Sequence, residues 1–85
     1  MQVNEAQYRW LEGLLRDQPG LAAKVTPRML ELGRSAKAEF DRLTAQMSRT
    51  SDPVDSAILA INRNAARRTI AEVHDVLEVV KQYAA

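Results

Sequence analysis

The chain has 85 residues and a mass of 9.5 kDa, with twelve Lys and Arg against eleven Asp and Glu and no Cys. That length makes one domain, a net charge of +1 gives no global attraction for nucleic acid or a membrane surface, and the lack of Cys excludes disulfides, thiolate metal sites and a cysteine nucleophile. Leu, Ile, Val and Phe number twenty, about 24% and just above the level below which chains stay disordered, while three Gly and three Pro exclude collagen-like and low-complexity classes.

Asn4 followed by Gln7 has the spacing of a variant capping box, so a first helix is expected over residues 4–18. Val3, Trp10, Leu11, Leu14 and Leu15 form its apolar face, and Glu5, Arg9, Glu12 and Arg16 point outward as two favourable i,i+4 pairs. Trp10 reads as a core anchor. Gly13, which costs about 1 kcal/mol against Ala inside a helix, reads as a point of close helix approach. Pro19-Gly20 ends the helix.

Leu21 to Val25 reads as a short apolar turn beneath the bundle, and Thr26-Pro27 as a start signal, because Pro suits the first helical position. A second helix over 27–48 then carries Met29, Gly33, Ala36, Phe40, Leu43 and Met47 as an apolar seam, flanked by Leu30 and Leu32. Gly33 and Ala36 are small, so a partner helix comes close there. Ser48 to Pro53 breaks the pattern: Ser51 or Asp52 caps, Pro53 takes the first helical position, and Asp55 lies near the positive end of the macrodipole. No Gly or Pro follows Pro53, so the third helix is expected over 53–83. The spacing of Ile70, Val73, Val76, Leu77, Val80 and Tyr83 is helical and does not alternate as a strand would. The expected fold is all-α, a single domain over 1–85 arranged as an up-down-up three-helix bundle with a long C-terminal helix, self-associating or binding a partner.

Those boundaries leave the third helix about 12 Å longer than the second. The overhang holds Val76, Leu77, Val79, Val80 and Tyr83, more apolar surface than a first helix of about 15 residues covers on both sides. Val73, Val76, Leu77, Val80 and Tyr83 are therefore expected as a contact surface for a second copy or another helical protein. Arg63, Arg67 and Arg68 are expected to add electrostatic specificity, and a positive 63–68 block followed by Glu72, Asp75 and Glu78 suggests a register device between antiparallel copies.

The same arginines with Asn62 and Asn64 form the alternative site. Arg forks grip phosphates and guanine edges and Asn reads adenine, so Asn62, Arg63, Asn64, Arg67 and Arg68 suit a nucleic-acid-binding helix, opposed by the acids that follow. His74 beside Asp75 and Glu78 lacks the further ligands of a metal site, and no phosphate loop, nucleophile elbow or His-Glu-x-x-His motif occurs. No enzymatic activity, cofactor or metal is expected. No membrane association is expected either, since no apolar stretch approaches the roughly 20 residues of a span. The start Met1-Gln2-Val3-Asn4-Glu5 has no basic region followed by an apolar run, so a cytoplasmic location is expected, with export lacking a cleaved signal left open. Nine Arg against three Lys with thirteen Ala is the usage of a high-GC genome, and a bacterial or phage origin is expected.

The turn Ser51-Asp52-Pro53 between two helices, with the similar total length, resembles the helical hairpin of type III secretion needle and inner-rod subunits over about half of the chain. That resemblance implies a filament subunit. The chain departs from the pattern where Trp10, Leu11, Leu14 and Leu15 build an amphipathic helix in place of a polar start. Leu21 to Pro27 resembles the turn of a helix-turn-helix, but the helix after it is longer and more apolar than that motif requires. Neither family is assigned. The function expected from the residues is a small non-enzymatic interaction module, such as an adaptor, an inhibitor or a structural subunit.

Overall fold

A computed structural model describes residues 5–84, and among them the chain forms three α-helices and no strand: α1 (Glu5–Asp17), α2 (Leu21–Met47) and α3 (Pro53–Lys81). The expected cap Asn4 and the apolar Val3 lie outside the described residues. After α1, the Gln18 amide donates to the Leu14 carbonyl at 3.0 Å and the Leu21 amide donates to the Gln18 carbonyl at 3.1 Å. Gly20 sits between at φ 90°, a left-handed conformation that costs glycine little, and the chain turns straight into α2.

The second helix begins six residues before the expected start. Pro27 lies inside it, not at its first position. An internal proline removes the amide that would bond to the Ala23 carbonyl and crowds that carbonyl, at a cost of about 3 kcal/mol. Burial outweighs the cost: Ala22 is buried, and Leu21 and Val25 are half-buried against α1 and α3. Thr26 follows the same local geometry, its hydroxyl donating to the Ala22 carbonyl at 2.8 Å instead of capping a new helix.

The third helix starts as expected. Asp52 is the cap, its carboxylate accepting from the Val54 amide at 2.9 Å, with Pro53 next and Asp55 in the first turn. It ends at Lys81, two residues before Tyr83.

Helices α2 and α3 are antiparallel over their whole length. Gly33 lies against Val73, the Arg63 guanidinium sits 5.7 Å from the centre of the Phe40 ring, and Ser56 Oγ donates to the Thr50 carbonyl at 3.4 Å. The expected seam is their contact: Ala36 and Leu43 are buried, with Met29, Gly33, Phe40 and Met47 half-buried. Gly33 permits the close approach expected of it, since a β-carbon there would lie 3.1 Å from Val73 Cγ1. Gly13 does not; nothing would come within 4 Å of its β-carbon.

Helix α1 runs alongside the C-terminal end of α3 in the same direction. Tyr8 feels the charges of Asp75 and Glu72 at one end, and Arg16 meets Tyr83 at the other. Tyr8, Leu11 and Leu15 of α1 are buried with Ala22, Val79 and Val80, and Leu21, Val25, Val76 and Tyr83 pack around them. At 13 residues α1 is about 20 Å long, half the roughly 40 Å of α2 and α3. The molecule is correspondingly elongated, 52 × 24 × 16 Å, with a radius of gyration of 16.3 Å against about 12 Å for a compact chain of this size.

Both glycines give stability tests. Gly13→Ala is expected to raise the unfolding free energy by about 0.5–1 kcal/mol, because it gains helix propensity in open space. Gly33→Leu is expected to lower it by about 1–3 kcal/mol by forcing α2 and α3 apart. Urea denaturation followed by circular dichroism measures both; equal effects of one sign contradict the packing described.

Candidate functional site

The overhang inferred from sequence is absent, because residues 21–26 extend α2 and bring it to 27 residues against 29 in α3. The C-terminal stripe is covered within one chain. Val73, Val79 and Val80 are buried, with Val80 only 1% exposed, while Val76, Leu77 and Tyr83 are half-buried. A charge at position 80 therefore enters the core and tests folding, not association.

Uncovered apolar side chains lie at the other end of the same helix and, on α2, at Leu30 and Leu32, 47% and 48% exposed. Val54 is 66% exposed, Ile58 52% and Ile61 66%, and Ala65 is exposed beside them. Eighteen residues make five turns of an α-helix, so positions 54, 58 and 61 share angular positions with 72, 76 and 79. Of those last three, Val76 and Val79 pack with the buried residues of α1, and Glu72 is exposed. The apolar residues on this face of α3 fall in two groups, Val54 to Ala65 and Val76 to Val79, separated by exposed Arg68 and Glu72, and α1 covers only the second group. On α1 itself the buried residues are Tyr8, Leu11 and Leu15, while Trp10 is 65% and Leu14 41% exposed, so Trp10 is not the expected core anchor.

The arginine cluster divides. Arg63, Asn64 and Arg67 line one hollow of about 230 Å³ with Phe40 and Ala60, whereas Asn62 and Arg68 are exposed outside it. Arg63 is half-buried and stacks over Phe40, a cation–π contact worth about 0.5–1 kcal/mol. Among the described residues, no ion pair forms at Arg63, Arg67 or Arg68, in contrast to α2, where Lys37 bridges Asp41 at 3.0 Å and Arg42 grips Glu39. The hydrogen bond from Arg42 holds the Glu39 carboxyl below its usual range. The Arg68–Glu72 pair available by spacing does not form.

Val73 and Leu77 also border a shallow apolar groove with Leu30, Gly33 and Ile70, rimmed by Arg34, Lys37 and His74. It shares no residue with the core under α1. His74 is exposed, its Nδ1 3.7 Å from Asp75 Oδ1, and among the described residues no three His, Asp or Glu cluster as metal ligands. No helix among the described residues is long and apolar enough to cross a membrane.

No protein-family model matches this chain, nor does any curated protein or solved structure.

Burial, and then the negative charges of Asp75 and Glu72, push the Tyr8 phenol above its ordinary pKa near 10. A group bound more tightly to its proton in the folded state contributes stability that is complete below the unfolded pKa and is lost as pH rises through the folded one. The unfolding free energy is thus expected to fall above about pH 10, and to fall less in Tyr8→Phe. Urea titrations between about pH 8 and pH 11 measure this; identical alkaline losses in the two proteins contradict the placement of α1.

Proposed function

We propose that this protein is a non-enzymatic helical interaction module, an adaptor, inhibitor or structural subunit, that binds a protein through the apolar face of α3. The observation supporting it is the bare half of that face, where Val54, Ile58 and Ile61 are each more than half exposed in line with the half that α1 covers. Fully burying one such side chain is worth about 1.5–3 kcal/mol, so closing the stripe is worth several kcal/mol. A contiguous apolar patch on a small helical protein is the ordinary mark of a contact surface. The contact surface so proposed lies in the N-terminal half of α3, away from the stripe of Val76, Val80 and Tyr83. Val73 and Leu77 remain accessible only along their groove edge, and Arg67 and Arg68 are free to supply charge specificity. The test is a photo-crosslinking residue placed at Ile58 or Ile61, with exposed Ala38 on the outer side of α2 as the control. Protein adducts at 58 and 61 but not at 38 are expected in cells that express the chain. Equal adducts at all three positions, or none at any, contradict the proposal.

A nucleic-acid reading has one observation in its favour: among the described residues Arg63, Arg67 and Arg68 have no acidic partner, and Arg63 and Arg67 line a hollow with Asn64. It predicts oligonucleotide binding at low salt, weakening by about 0.9 log units per log unit of salt for each phosphate contacted. Arg67→Ala with Arg68→Ala should reduce that slope by about two. Fluorescence anisotropy measures it, and no binding to duplex or single strand at low salt removes this reading.

A further inference from the structure

We infer that the crevice between α2 and α3, on the side of the hairpin away from α1, is the seat of an acidic amphipathic helix from a partner protein. This surface is separate from the α3 stripe proposed above.

The crevice follows from residue size and helical spacing. Gly33 of α2 has no side chain and Val73 of α3 lies against it, 5% exposed, so the floor is sunk between taller neighbours. Leu30 on one wall, with Ile70 and Leu77 on the other, completes an apolar groove of about 300 Å³. Ile70 is nine residues, two and a half turns, from both Ile61 and Val79. It therefore points to the opposite side of α3 from the exposed stripe and from the seat of α1. Lys37 and Phe40 on α2, and Arg67 and Ile70 on α3, are each three residues apart, so the hollow of Phe40, Ala60 and Arg63 lies end to end with the groove along one crevice. Leu77 is 17 residues beyond Ala60, about 26 Å, the length of a helix of about five turns.

Charge selects the occupant. Arg34 and Lys37 rim the crevice from α2, and Arg67 and the imidazole of His74 rim it from α3. Arg63 stands farther along over Phe40, and Lys81 is one turn beyond Leu77. The acids on this face are Asp41, which bridges Lys37 at 3.0 Å, and Glu78, one turn beyond His74. Asp75 adds a third at 3.7 Å from His74, although its charge also reaches Tyr8 on the α1 side. Five Lys and Arg against these three carboxylates leave the face at +2 in a chain of net +1. Among the described residues Arg34, Arg63 and Arg67 have no ion pair.

An apolar floor between two cationic rims is the complement of a helix whose apolar stripe runs between carboxylates. A nucleic acid suits it less, because phosphates and base edges find no hydrogen-bond partner on Leu30, Ile70, Val73 and Leu77. A small amphiphile suits it less too, because such ligands are buried by about 70–90% in their pockets and this crevice is shallow.

The experiment is fluorescence anisotropy of the full chain with two labelled, Ala-based peptides of about 18 residues, each carrying Leu at i, i+3, i+4 and i+7 spacing. Glu flanks the stripe in one peptide and Lys in the other. The Glu peptide is expected to bind about tenfold tighter than the Lys peptide or better, and to weaken as salt rises. Leu30→Gln, at a position 47% exposed, should weaken binding about tenfold or more with unchanged circular dichroism. Arg34→Glu with Arg67→Glu, one cation from each rim and neither with an ion pair to lose, should do the same. Ile61→Glu should leave it unchanged. No binding of the Glu peptide, equal binding of the Lys peptide, or indifference to Leu30→Gln overturns the inference. A single-stranded oligonucleotide that displaces the Glu peptide and still binds Leu30→Gln assigns the face to a polyanion and overturns it as well. Photo-adducts at 58 and 61 without Glu-peptide binding reject the crevice alone; Glu-peptide binding without those adducts rejects the stripe alone.

Discussion

A length mismatch governs this protein. Two antiparallel helices of 27 and 29 residues share one seam, and a third of 13 residues lies against one face of them. A two-helix hairpin cannot bury an apolar face without a third layer, and α1 supplies that layer for about 20 Å of a roughly 40 Å hairpin. Where α1 lies, Val79 and Val80 are almost wholly excluded from solvent; five turns away on the same face, Ile61 is 66% exposed. The same helix therefore holds the best-packed part of the core and an exposed apolar stripe.

The polar groups are distributed in keeping with that division. At the α1 end Arg16 lies against Tyr83 and Tyr8 lies near Asp75, while burial of Tyr8, Leu11 and Leu15 with Val79 and Val80 holds α1 along α3. In α2 Lys37 pairs with Asp41 and Arg42 with Glu39, while Lys24, Arg28, Glu31 and Arg34 show no ion pair among the described residues. Arg68, at the edge of the bare half, and Arg67, on the side of the Phe40 hollow, have no ion pair among the described residues either. Exposed ion pairs contribute little to stability, so the fold does not need them paired, and they remain available to select a binding partner.

Much of the fold was legible in the sequence because the signals were local. Asp52 followed by Pro53 specifies a helix start by its own chemistry, and Gly33 beside Ala36 specifies close packing by size. Pro27 misled because its local preference for a first position competes with burial of Leu21, Ala22 and Val25, and only the tertiary contact decides that competition. The six residues thereby added to α2 remove the overhang, and with it the argument for exposure of Val76, Val80 and Tyr83. On α1 the apolar face read from the sequence was Val3, Trp10, Leu11, Leu14 and Leu15, whereas Tyr8, Leu11 and Leu15 are the buried residues and Trp10 and Leu14 are exposed. Side-chain hydrophobicity favoured Trp10, but the position of α2 and α3 selects Tyr8. The bare stripe was open to discovery from Val54, Ile58 and Ile61 alone, given the correct length of α1's seat. The division of the arginine cluster was not, since it depends on where Phe40 lies across the seam.

The chain has no cysteine, so a single one can be placed at will. Thiol labelling of Ile61→Cys and Val79→Cys in dilute protein probes two positions five turns apart on one face of one helix. The account predicts that Cys at 61 reacts nearly as fast as in an unfolded peptide, while Cys at 79 is slowed by the protection that α1 gives. Comparable protection at both positions, or at neither, would contradict it.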